Sequence, residues 1–185
     1  MILDGSSTPP GTDGLLISSD GNVIQGVAIL RFPAAAISIQ GGAYNRVGGD
    51  RLQGSGPLGQ GNLLSGNGIA GVIIGGSGAV SNTVVGNFIG TDVSGMHILA
   101  NDRGVGIGSG ASYNVVGGLT PGERNVIGGN RGNQVELWGA ETQHNVVRGN
   151  LIGTDADGAF ALRPLTPTGG SGVTLHSGAR RNVIG

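Results

Sequence analysis

Aspartates in a repeated nine-residue segment are the first side chains that could do chemistry. The segment NFIGTDVSG at residues 87–95 returns as NLIGTDADG at residues 150–158, which puts Asp92 and Asp155 at matching positions. Asp157 follows two residues after Asp155, so this pair is a weak candidate for a calcium site. Calcium takes about six to eight oxygen ligands, and the next residues, AFALRP, supply no acidic or amide side chain. We therefore expect Asp92 and Asp155 to be turn residues that bind no metal or other cofactor. Calcium binding at these loops is the alternative.

A second set of polar side chains lies towards the C-terminus. When the repeats described below are aligned, Glu136 falls beside Thr174 and Trp138, the only tryptophan, falls beside His176. An exposed tryptophan among polar groups can stack on a sugar ring, so these four residues are the candidate ligand-binding patch, with a polysaccharide as the ligand. The sequence favours a simpler arrangement over this patch, in which Trp138 packs under the loop at residues 159–170, because buried aromatic residues outnumber binding platforms.

Catalytic signals are mostly missing from the sequence. Hydrolysis of a glycan needs two carboxylates about 5–10 Å apart, and the aligned strand face offers only Glu136. His97, His144 and His176 lie on different loops at no metal-ligand spacing, and no GxSxG nucleophile motif occurs. The sequence therefore favours a non-catalytic protein, and a polysaccharide-cleaving one is the alternative.

Charge and hydropathy exclude two classes of partner. The net charge is −1 and lysine is absent, so no basic stripe is available for nucleic acid. No apolar run approaches the length of a membrane span, which argues against membrane insertion. The N-terminal MILDGSS lacks the basic and apolar regions of a signal peptide.

The elements that must position these residues follow from an internal repeat. Alignment of the GVxI segments gives equivalent strand starts 35, 33, 30 and 38 residues apart, at Ile37, Val72, Val105, Val135 and Val173. Taken in pairs, both steps from residue 37 to 105 and from 105 to 173 are 68 residues. We expect one domain over residues 1–185, with short first coils at 1–36, coil doublets at 37–104 and 105–172, and a partial coil at 173–185.

The local pattern within each repeat indicates strands. After each recurring asparagine, every second residue is apolar or small, as in the series Asn82, Val84, Gly86. Gly, Asn or Pro interrupts every longer apolar run. Helical arrays need longer runs of helix formers, and propeller blades need about four strands in 40–45 residues. Three short strands per repeat predict an all-β solenoid, a parallel β-helix of about six coils.

One asparagine recurs at the same place in every repeat. The six positions are Asn22, Asn45, Asn82, Asn114, Asn145 and Asn182. Asparagine tolerates a left-handed backbone, and its amide can bond to the coils above and below, so we expect a buried structural ladder. A water-facing amide array that binds sugar is the alternative.

Several segments of the chain, among them NVIQGVAI, GNFIGTDVSG, RNVIGGN and GNLIGTDADG, resemble the right-handed parallel β-helix repeats of large bacterial secreted and cell-surface proteins. The resemblance covers almost the whole chain and implies a right-handed coil and an extracellular or cell-surface setting. It implies no catalytic residues. The resulting expectation is a structural or adhesive module of an exported protein that associates with itself end to end through its open coil ends.

Overall fold

Short extended segments separated by turns build the whole molecule, because β-branched residues alternate with glycine and asparagine along the chain. The computed structural model describes residues 1–163 and 170–185. In that part of the chain the strands are β1 (Ile2–Asp4), β2 (Leu15–Ile17), β3 (Val23–Ile24), β4 (Ala28–Leu30), β5 (Ala35–Gln40), β6 (Arg46–Gly48), β7 (Leu63–Ser65), β8 (Ala70–Gly75), β9 (Thr83–Val85), β10 (Phe88–Ile89), β11 (Arg103–Gly108), β12 (Val115–Val116), β13 (Val126–Ile127), β14 (Val135–Trp138), β15 (Val146–Val147), β16 (Leu151–Ile152), β17 (Val173–His176) and β18 (Val183–Ile184), and a 3₁₀ turn spans Pro121–Glu123.

Every third strand belongs to the same sheet. Sheet A has the order β1-β4-β7-β10-β13-β16, sheet B runs β2-β5-β8-β11-β14-β17, and sheet C runs β3-β6-β9-β12-β15-β18. All pairings between these strands are parallel. Three consecutive strands therefore make one coil, and six coils, numbered 1 to 6 from β1, stack into a rod about 24 Å long at the usual strand spacing. The fold is a right-handed parallel β-helix, as expected from the sequence.

The strand register follows the repeat read from the sequence. Ile37 pairs with Val72, Val72 with Val105, Val105 with Val135, and Val135 with Val173. The members of this column up to Val135 are fully buried, and the other sheets contribute columns of the same kind, represented by Leu64 in sheet A and Val84 in sheet C. The core is therefore a continuous aliphatic cylinder enclosed by three sheets.

Insertions explain why the repeat is a doublet of coils. The loop at residues 49–61 and the loop at 117–125 leave the rod at the same corner two coils apart, and they meet above Gly86: the Arg51 N–H donates to the Gly122 carbonyl at 3.0 Å. A Cβ on Gly86 would stand 1.8 Å from the Gly49 carbonyl oxygen. Because an inserted loop covers the next coil at its corner, insertions fit only at every second coil.

The other inserted corner follows the same rule. The two nine-residue segments form outward hairpins after β10 and β16, closed by bridges between Thr91 and Ile98 and between Thr154 and Ala161. The hairpins touch across the intervening coil, where the Ala156 N–H donates to the Gly95 carbonyl at 3.1 Å. This contact accounts for the reuse of the segment at a distance of two coils.

Candidate functional site

The six predicted asparagines form one column at the corner before sheet C. In the middle of the column, the backbone N–H and the side-chain Nδ2 of Asn82 both donate to Oδ1 of Asn114, at 2.8 and 2.9 Å. The same pair of bonds joins every neighbouring pair from Asn22 to Asn182. The four interior members are buried, so these amides face the rod and not the solvent.

The left-handed backbone lies one residue before each asparagine, and not on the asparagine itself as the sequence argument supposed. Tyr44, Ser81, Tyr113, His144 and Arg181 have φ between 55° and 59°. The physical reason is that each asparagine must point its amide inwards and along the axis to reach the next coil, so the corner is turned by the preceding residue. The exposed ring of Tyr113 and the partly buried ring of His144 stack at 4.9 Å between centroids.

Two further asparagine ladders escaped the sequence analysis. One lies at the corner before sheet A and the other at the corner before sheet B. Their members are Asn62, Asn87, Asn125 and Asn150 in the first and Asn67, Asn101 and Asn130 in the second. The Gln134 side chain continues the second ladder by accepting from Nδ2 of Asn130 at 2.8 Å. A recurrent GN dipeptide before the apolar pair of sheet A was the available signal for the first.

All three ladders point the same way along the rod. Each asparagine donates through Nδ2 to Oδ1 of the asparagine in the following coil, never in the reverse direction. The ladder before sheet C runs from coil 1 to coil 6, so it presents the Asn22 amide oxygen at the N-terminal end of the rod and the Asn182 N–H donors at the C-terminal end. Stacked coils are electrostatically complementary from tail to head.

Asp92 lies at the start of an outward hairpin and bonds only to that hairpin. Its Oδ1 accepts from Ser94 Oγ at 2.7 Å and from the His97 N–H at 3.2 Å, and its Oδ2 lies 3.1 Å from Nδ1 of His97. Partial burial disfavours the charged carboxylate, but these hydrogen bonds and one from the Met96 N–H outweigh that effect and hold the pKa of Asp92 below its ordinary value.

Asp155 occupies the equivalent place in the second hairpin. It is 1% exposed, and its Oδ1 accepts from the Ala159 N–H at 2.9 Å. Asp157 is partly exposed in the same turn. Among residues 1–163 and 170–185, no three His, Asp or Glu side chains gather in a way that could hold a metal ion. Both repeated aspartates thus act in Asx-type turns of the hairpins.

Glu136 is the centre of a charged cluster on the outer face of sheet B. It pairs with Thr174 in the register, yet its Oε1 lies 2.9 Å from Nε2 of His176, and the Thr174 hydroxyl bonds instead to Asn133. Its Oε2 lies 3.2 Å from Nε of Arg103, but that N–H is not aligned with the oxygen, which accepts no directed hydrogen bond from the residues that the structure describes. Glu136 is about nine-tenths buried. Its contacts with His176 and Arg103 hold these two side chains around the buried carboxylate.

A second carboxylate, which the sequence analysis did not find, lies near Glu136. Oδ2 of Asp102 is 4.0 Å from the same Arg103 Nε, so the Asp102 and Glu136 oxygens are at most about 7.2 Å apart. This upper limit lies within the range of glycosidase carboxylate separations, about 5–9.5 Å. However, the Arg103 guanidinium stands between the two groups, so the cluster is an ion-pair network and not an acid–base pair that could flank a glycosidic bond.

Trp138 lies along the rod on a shelf made by two glycines. Cβ atoms added to Gly106 and Gly108 would stand 2.9 and 2.2 Å from atoms of its indole ring, so only glycine lets the ring rest on the sheet. The sequence placed Trp138 beside His176, and the register pairs these two residues. Of the loop expected to cover the ring, residues 164–169 lie outside the described residues. Trp138 is half-buried.

Comparison with known proteins produces no match: no protein-family model, no curated protein and no solved structure is similar to this chain. The structure also offers, within the part of the chain that it describes, no long apolar helix able to span a lipid bilayer. The class defined by the fold is therefore that of parallel β-helix solenoids, and the fold alone carries no activity.

Proposed function

We propose that this chain is a non-catalytic structural and adhesive β-helix module of an exported bacterial protein, and that the chain on its own associates end to end with further copies. The proposal needs no cofactor. Its extracellular or cell-surface setting rests on the resemblance of the repeated GNxIGTDxxG and NxIGG segments to bacterial surface β-helix repeats. The observation that carries the association is the direction of the asparagine ladder before sheet C, which runs from Asn22 in coil 1 to Asn182 in coil 6.

The coil ends supply the remaining driving force. Coil 1 exposes 69% of Ile2, and coil 6 exposes Ile184 and Leu175 by 44% and 41%. Equivalent residues in the inner coils are buried. A further coil on either face would bury these side chains and pair the open strand edges.

The geometry of the ends makes this contact head-to-tail. The Asn22 amide oxygen on coil 1 matches the Asn182 N–H donors on coil 6, whereas two copies of the same end would oppose like groups. Head-to-tail contacts that do not close by rotation generate open filaments. The proposal therefore describes a building block that elongates along the rod axis.

The test measures the assembly state of the 185-residue chain by light scattering and electron microscopy over a range of concentrations. Rods that lengthen with concentration are expected. Ile2→Lys and Ile184→Lys each place a charge on one end and should give monomers when alone, and their mixture should give dimers because each retains the end that the other lacks. Leu52→Lys, on an exposed lateral loop, is the control and should still elongate.

Two results would contradict the proposal. A chain that stays monomeric at every concentration would show that the open ends do not associate. Dimers formed by either single end variant alone would mean that like ends meet, which the direction of the asparagine ladders forbids.

A further inference from the structure

The outer face of sheet B carries a groove that runs along the rod from coil 1 to coil 5. Its lining includes Asp13, Ser38, Gln40, Ile73, Arg103 and Trp138, which come from five successive coils. At the usual strand spacing this is a length of about 19 Å. The groove has a volume of about 290 Å³, close to the lower limit of ordinary ligand pockets, so it suits a thin, extended ligand.

The floor of the groove is flat and apolar. Cδ1 of Ile73 and the six-membered ring of Trp138 converge above Gly106, where an added Cβ would stand 2.9 Å from each. The indole lies against the sheet instead of projecting from it, because Gly106 and Gly108 leave room beneath it. A flat aromatic and aliphatic surface is complementary to the C–H face of a pyranose ring.

The rim supplies hydrogen-bonding groups beside this floor. Nε2 of Gln40 donates to Ser38 Oγ at 2.9 Å, which fixes the amide over the sheet, and Gln40 as a whole is exposed. Asp13 Oδ1 accepts from the Ala35 N–H at 2.9 Å, and its second oxygen is not part of that bond. Amide, hydroxyl and carboxylate groups around an apolar platform are the set that recognises sugar hydroxyls.

The charges near the groove favour a neutral polysaccharide over an acidic one. Three carboxylates, those of Asp13, Asp102 and Glu136, accompany the Arg103 guanidinium, which already pairs with two of them. An acidic polysaccharide would meet an excess of like charge. From the platform, the rim and this charge balance, we infer that the groove of sheet B binds a neutral polysaccharide chain laid parallel to the rod axis.

Trp138 is the only tryptophan, so its fluorescence reports directly on the groove. The experiment titrates the chain with neutral hexasaccharides of glucose, xylose, mannose and N-acetylglucosamine, with oligogalacturonate as the acidic comparison, and repeats the measurement by calorimetry. At least one neutral oligosaccharide should change the emission saturably. Oligogalacturonate should bind at least about tenfold more weakly, which corresponds to about 1.4 kcal/mol.

Variants of the platform locate the binding. Trp138→Ala should weaken binding by at least about tenfold in calorimetry, as truncation of a central aromatic anchor does. Gly108→Ala changes no ligand-facing group but lifts the indole from its shelf, and should weaken binding while the far-ultraviolet circular dichroism of the sheets stays that of the unchanged chain. Tyr113→Ala removes an exposed aromatic ring on another corner and should bind like the unchanged chain.

This inference stands apart from end-to-end association, because charges at Ile2 or Ile184 lie outside the groove. It is overturned if none of the four neutral oligosaccharides binds, if oligogalacturonate binds more tightly than all of them, or if both Trp138→Ala and Gly108→Ala bind as well as the unchanged chain.

Discussion

Replacement of Asn82 by alanine tests whether the asparagine ladder holds the rod together. Asn82 is fully buried at the middle of the ladder before sheet C. Its Oδ1 accepts from the backbone N–H and the Nδ2 of Asn45, at 2.8 and 3.0 Å. Its Nδ2 donates to Oδ1 of Asn114 and to the Gly42 carbonyl, both at 2.9 Å. Alanine removes all four bonds and leaves the backbone in place.

The expected cost follows from the groups left without partners. Two donors on Asn45 and the Gly42 carbonyl lose their partner in a buried site, while Oδ1 of Asn114 still accepts from the backbone N–H of residue 82. Each unsatisfied buried polar group costs about 1–3 kcal/mol, and local relaxation recovers part of the sum. We expect Asn82→Ala to lower the free energy of unfolding by about 3–5 kcal/mol.

Two companion variants make the measurement specific. Asn22→Ala removes bonds from Nδ2 to Ser19 and to Asn45 Oδ1 at the exposed end of the same ladder. Asn45 Oδ1 still accepts from the backbone N–H of residue 22 and water replaces the lost partners, so the cost should be less than about 1 kcal/mol. Asn82→Asp keeps the acceptor for Asn45 but places a carboxylate oxygen against the Gly42 carbonyl and Asn114 Oδ1, and should cost more than the alanine. Urea unfolding followed by circular dichroism gives the three values. Equal losses for Asn82→Ala and Asn22→Ala would refute the ladder as a source of stability.

Two further predictions concern the inserted loops. Gly86→Ala should abolish folding or lower the free energy of unfolding by more than about 3 kcal/mol, because its φ is +68° and the new Cβ would stand 1.8 Å from the Gly49 carbonyl oxygen. Gly21→Ala is the control: its φ is +71° with nothing within 4 Å, so it should cost only about 1–2 kcal/mol in the same urea assay. Similar costs for the two variants would show that the inserted loop does not press on the coil. Asp92 has a lowered pKa in the folded chain, so its stabilisation is present above the ordinary carboxyl pKa of 3.8 and is lost as the pH falls through the lowered value. The melting temperature of Asp92→Asn should therefore lie below that of the unchanged chain at pH 7 and converge with it towards pH 2, and a difference independent of pH would contradict this assignment.

The sequence by itself determined the architecture and its register. The GVxI alignment placed Val72, Val105 and Val135 in one column, because the two-residue period of a half-buried strand allows only one face to turn inwards. The recurring asparagine before sheet C was visible for the same reason: it stands at a constant distance from an inward residue. Both patterns depend on residues within a few positions of each other, and their repetition in every coil makes them detectable in the sequence.

Only the tertiary structure decided what the surface does. The ladder through Asn67, Asn101 and Asn130 follows connections of different lengths, so no fixed spacing announced it. Arg103 meets Glu136, and Trp138 lies on Gly106 and Gly108, because stacking brings residues about 30 positions apart to neighbouring strands. A strand alignment predicts which residues are paired, but the direction in which a side chain points along the rod depends on the room that the neighbouring coil leaves for it. That room is set only when the coils stack.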